Sequence, residues 1–152
     1  GVEEVDSSFV NEVADRARAY GGDIQLLGKI DNMARFYRSL DLFVLPSYRE
    51  GMPNVLLEAM ASGLPCVATD IPGVREVIAS GENGMLAPPQ DVDRLATVLA
   101  ELIRDEMLRH SLGRAARETI VESFSLDVMA NRYVGLFGSL SRDSVVREPA
   151  TL

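Results

Sequence analysis

Cysteine, histidine and lysine occur once each in this 152-residue chain, as Cys66, His110 and Lys29. One thiol excludes an internal disulfide and fits a reducing compartment, the cytoplasm; a whole protein working at the inner face of a membrane is compatible with that. Cys66 lies in Pro65-Cys-Val-Ala, which reads as a buried strand with no cation beside it, so its expected role is packing. His110, in Arg109-His-Ser on a late helical stretch, reads as a surface residue. Nowhere do His, Cys, Asp and Glu cluster with metal-ligand spacing, and Asp70 opens no Asp-x-Asp motif. No metal and no other cofactor is therefore expected. No Gly-x-Gly-x-x-Gly follows a strand and no serine nucleophile elbow occurs, which removes support for NAD binding and for serine hydrolysis. No run approaches the ~18 apolar residues of a membrane-spanning helix. The opening GVEEVDSS lacks the basic and apolar regions of a signal peptide. Positive charge is also short, with 15 Lys and Arg against 23 Asp and Glu and a net charge of −8. That balance disfavours nucleic acid as a partner and charge-driven binding to an anionic membrane.

What is present is an alternation of helix and strand patterns, which predicts an α/β domain with a parallel sheet. Residues 8–20 carry Phe9, Val10, Val13, Ala17 and Tyr20 near helical spacing and end at Gly21-Gly22. A strand over 23–28 and a short helix over 31–40 follow, then a strand over 41–46 stopped by Pro46. Next come a helix over 53–62 closed by Gly63, a strand over 65–69, a helical turn around 73–79 and a strand over 84–87. Three helices over 91–104, 105–122 and 126–140 complete the domain. The result is a Rossmann-like sheet of about four strands flanked by helices. Residues 1–140 form one domain on this reading, and 141–152, SRDSVVREPATL, form a flexible tail.

The densest chemistry lies in Leu45–Leu56, LPSYREGMPNVL, with Glu58 following. An apolar strand breaks into a loop carrying Glu50, and Pro53, suited to the first position of a helix, starts the next element. The N–H groups of Asn54, Val55 and Leu56 are expected to be free at a helix N-terminus, where a diphosphate can bind without a basic residue. Ligands of open α/β sheets bind at such carboxyl ends of strands. Glu58 falls on a helix whose other residues, Val55, Leu56, Leu57, Ala59 and Met60, read as buried. An unsatisfied carboxylate there costs several kcal/mol, which points to a ligand. Asn54 and Glu58, four residues apart, share one side of that helix. Arg49 can meet phosphate or pair with an acid.

Glu50 and Glu58, spaced loop Glu, Gly-Met-Pro-Asn, helix Glu-Ala-Met, resemble the E-x7-E signature of the retaining, group 1 glycosyltransferases of GT-B fold. The segment Gly63 to Asp91, GLPCVATDIPGVREVIASGENGMLAPPQD, is similar to that family in order and spacing. The resemblance runs from about Gly22 to Tyr133. It implies a partial C-terminal, donor-binding GT-B domain and a nucleoside diphosphate sugar as ligand. It places Glu50 beside the donor sugar as the catalytic carboxylate, with Gly51, Met52, Pro53, Asn54, Val55 and Leu56 around the donor. Glu58 goes to the ribose diol, and the backbone around Gly28-Lys29-Ile30 to the base pocket. Family members act without a bound metal, many in polysaccharide biosynthesis. Two further expectations follow from the resemblance. The N-terminal acceptor domain is missing, so the chain alone should be inactive. The donor domain's first two strands are missing too, so exposed sheet edges should drive rearrangement or an element-swapped homodimer. A non-catalytic interaction module on the same fold, or another GT-B enzyme such as a sugar-nucleotide epimerase, are the rival readings.

Overall fold

The computed structural model describes residues 7–20 and 24–144, which divide into two compact units, one up to Met33 and one from Ala34 onward. In the first unit, α1 (Ser7–Ala19) forms where the helical spacing predicts it. Of the strand expected over 23–28, residues 24–28 form none. The described part of this unit contains no strand for the segment to pair with, so it makes no ladder, and Ile24, Leu26 and Leu27 remain exposed. Residue 23 lies outside the described residues.

The second unit begins within α2 (Met33–Tyr37) and continues through β1 (Phe43–Leu45), α3 (Asn54–Ala61), β2 (Cys66–Thr69), α4 (Pro72–Arg75), β3 (Met85–Ala87), α5 (Val92–Arg104) and α6 (Glu106–Thr119). A π-helical turn (Ile120–Phe124) and α7 (Leu126–Ser144) end it. The sheet is parallel in the order β1-β2-β3, three strands where about four are expected. Helix α7 continues to Ser144, past the expected start of a tail at 141, and residues 145–152 lie outside the described residues. No helix among the described residues is long and apolar enough to cross a membrane.

Register explains the core. Val44, Val67 and Met85 lie in one row across the sheet. That row packs with Val98 and Leu102 of α5 and Leu112 of α6. Strand alternation turns Phe43, Cys66 and Ala68 to the opposite face, where the Tyr37 ring meets Phe43 edge-on at 5.9 Å. Asp91 and Asp105 cap α5 and α6 by accepting from the Arg94 and Leu108 N–H groups, each at 2.8 Å. The second cap is why one helical stretch becomes two.

Helix α6 reaches the sheet through a glycine pair. Gly63, at φ +79°, ends α3, and Gly113 of α6 sits directly against its carbonyl oxygen. A Cβ on Gly113 would strike that oxygen and lie 3.3 Å from the Pro65 nitrogen. Gly113→Ala is therefore expected to destabilise the fold by about 1–3 kcal/mol, the usual cost of overpacking, as read by urea denaturation. Cys66 is fully buried, and burial pushes its thiol up to about 12. Thiol reagents at pH 8 should modify it only as fast as the domain unfolds; modification at the rate of a free thiol in the folded protein contradicts this.

Candidate functional site at the carboxyl end of β1

Strand β1 ends at Leu45, and Pro46 turns the chain into a loop that feeds α3. Glu50 is half-buried on that loop, with its Oε1 accepting a hydrogen bond from the Ser47 hydroxyl at 2.7 Å. Gly51 and Met52 are exposed and Pro53 is buried. Pro53 sits at the N-cap with φ −80° and ψ 76°, one position earlier than expected, because its ψ is not helical. The expectation of three free N–H groups needs correction as well. The Asn54 N–H donates to the Met52 carbonyl and the Leu56 N–H to the Pro53 carbonyl, both at 2.9 Å. Of the three, only the Val55 N–H has no such local bond. A tight first turn consumes donors that an ideal helix leaves open.

Glu58 also departs from expectation. Leu56, Ala59 and Met60 are fully buried, but Asn54, Val55 and Glu58 form the exposed side of α3. The carboxylate is not a buried charge awaiting a ligand, and the fold gives it a partner. The Tyr37 hydroxyl lies 3.2 Å from Glu58 Oε2 and 3.3 Å from the Val55 carbonyl, its one hydrogen shared between them. Burial first, then the charge and hydrogen bond of Glu58, push the Tyr37 phenol up to about 12, so it remains a donor at neutral pH.

A third element closes on the loop. Helix α4 brings Gly73 against the Glu50–Gly51 backbone, so closely that a Cβ there would lie 2.6 Å from the Glu50 carbonyl oxygen. Beside it, Arg75 forms a two-pronged exposed pair with Asp70, and this hydrogen bonding holds the Asp70 carboxyl below its usual range. Tyr37, Ser47 and Gly73 are the site residues that sequence reasoning misses. Ser47, three residues before Glu50, carries a weak local signal. Tyr37 and Gly73 carry none, because both contacts are non-local.

Lys29 is exposed and Ile30 half-buried in the first unit, whereas Glu50 to Glu58 belong to the second. A small cavity of about 100 Å³ lies over the strand ends, touching Pro46, Tyr48, Thr69, Ala87 and Gln90. Ligand pockets usually enclose roughly 300–1,000 Å³, so this is a shallow surface and not an enclosed site. The larger hollow, about 420 Å³ between Leu40–Leu42 and Arg109, is at the amino end of β1 and away from both glutamates. Among the described residues, no group of three or more His, Cys, Asp or Glu side chains could hold a metal.

Comparison with known proteins bears on the family and the fold. The family model for "Glycosyl transferases group 1" matches residues 5–105. The chain is 37% identical over 120 residues to the N-acetyl-alpha-D-glucosaminyl L-malate synthase of Bacillus anthracis, covering 79% of this chain and 32% of that protein. It is 27% identical to a capsular polysaccharide biosynthesis glycosyltransferase of Staphylococcus aureus, covering 80% and 32%. Among solved structures, sucrose-phosphate synthase from Thermosynechococcus elongatus superposes with a TM-score of 0.81 at 28% identity, over 94% of this chain and 37% of that one. Anabaena HepE, solved with UDP and glucose, shares the fold with a TM-score of 0.82 at 23% identity, over 88% and 37%. The chain thus spans about a third of the length of these proteins. It belongs to the group 1 glycosyltransferase family and has the α/β, Rossmann-like architecture of its GT-B members.

Proposed function

We propose that this chain is the donor-binding part of a retaining, hexosyl-type glycosyltransferase that takes its sugar from a nucleoside diphosphate. One observation carries the reading: a single loop–helix unit at the carboxyl end of β1 presents Glu50 at its start and Glu58 one helical turn past Asn54. Glu58, oriented by Tyr37, accepts hydrogen bonds from the ribose diol. The first turn of α3, with the Val55 N–H, faces the diphosphate. Glu50, beside the Gly51 and Met52 backbone, meets the sugar hydroxyls and offsets positive charge growing at the anomeric carbon. The leaving diphosphate relies on protein groups and no metal. The acceptor side belongs to a further domain of a longer protein, since the relatives are about three times as long as the matched region.

The decisive experiment is calorimetric titration of the chain with UDP, GDP, ADP and their sugars. UDP comes first because HepE is solved with UDP. One nucleotide should bind, Glu58→Ala should abolish that binding, and Tyr37→Phe should weaken it by up to about tenfold, the net worth of one ordinary hydrogen bond. Binding unaffected by Glu58→Ala overturns the assignment. The chain mixed with donor and acceptors should show no turnover; robust transfer would contradict a half-site.

Self-association is part of the proposal. Its route is the exposed sheet edges or an element swap, since β1 and β3 are each paired on one side only among the described residues. Sedimentation at rising concentration should show a dimer. A monomer throughout removes this element and leaves the donor site standing.

A further inference from the structure

Gly73 has ordinary backbone dihedrals, so conformational freedom does not explain a glycine there. Space does. A Cβ on Gly73 would strike the Gly51 carbonyl oxygen, lie 2.6 Å from that of Glu50 and 3.2 Å from the Glu50 carbonyl carbon. All three are backbone atoms, with no flexible side chain to swing aside. The requirement is one-sided, because a Cβ on Gly51 would meet nothing within 4 Å. On the other side of the loop, the Ser47 hydroxyl holds the Glu50 carboxylate at 2.7 Å. We infer that Gly73 and Ser47 are positioning residues for Glu50: the bare Cα of α4 seats the 50–51 peptide while the serine orients the carboxylate. This rests on the sugar-binding role proposed for Glu50. Glu58, carried by α3 and held by Tyr37, is outside this brace.

Amide hydrogen exchange tests the brace without any ligand. Gly73→Ala should speed exchange over residues 47–53 by about tenfold or more and leave α5 and α6 unchanged. Gly135→Ala, at an open position on α7, serves as the control and should leave 47–53 unchanged. No change at 47–53, or equal acceleration throughout the chain, overturns the inference. The second readout is the affinity gained on going from UDP to UDP-glucose, or for the matching pair that the titrations select. Gly73→Ala and Ser47→Ala should reduce that gain to the level of Glu50→Ala while UDP affinity stays within about twofold. Equal loss of both affinities means general damage and refutes a positioning role. If Gly73→Ala does not fold, Ser47→Ala, which removes one hydroxyl, decides by the same ratio. If the parent chain binds no nucleotide, the proposed function fails, and the exchange comparison alone decides whether Gly73 braces the loop.

Discussion

Strand β2 is hydrogen-bonded along both edges and buried over its full length, and the second unit is arranged around that constraint. A strand with no free edge and no solvated face favours small side chains that are apolar or hydrogen-bonded, as in Cys66-Val-Ala-Thr, where the Thr69 hydroxyl donates to the Leu45 carbonyl at 3.5 Å. Its register ties Val44 to Met85 across the sheet and gives α5 and α6 a continuous surface to cover. Because all three strands run parallel, their carboxyl ends open on one side. The loops after Leu45, Thr69 and Ala87 therefore meet there, and Glu50 is brought to Gly73 although 23 residues separate them in the chain.

Much of this is readable in the sequence, for physical reasons. Helix α5 declares itself by apolar periodicity and an Asp91 cap, and β2 by a short apolar run between Pro65 and Asp70. The break before α3 is legible because Pro46 and Pro53 each forbid a continuation. The two glutamates stand out by their place, one on the loop at a strand's carboxyl end and one on the helix that follows. What sequence reading mistakes is the side of α3 that Glu58 occupies. Val55 and Leu57 are apolar, yet Val55 is exposed and Leu57 half-buried, so a nearly all-apolar helix conceals a polar face.

The residues that escape sequence reading act at long range. Tyr37 lies in a stretch legible only as a short helix, and only the fold brings its hydroxyl 3.2 Å from a carboxylate 21 residues away. Gly73 reads as a helix-start glycine after Pro72, and only the approach of another peptide reveals why a methyl is not tolerated. The absence of the expected strand over residues 24–28 has the same origin. Its pattern is apolar enough, but a strand is a relation between two segments, and the described part of its unit supplies only one.

The shallowness of the surface over the strand ends has an electrostatic consequence. With water above them, the half-buried Glu50 and exposed Glu58 act through a medium close to the bulk dielectric constant, where a unit charge pair at 4 Å is worth about 1 kcal/mol. Covering the same groups with any second surface that expels water lowers the effective constant toward about 20 and multiplies that interaction about fourfold. The strength of these two carboxylates is therefore not a property of the loop alone. It is set by whatever shuts out the solvent above them.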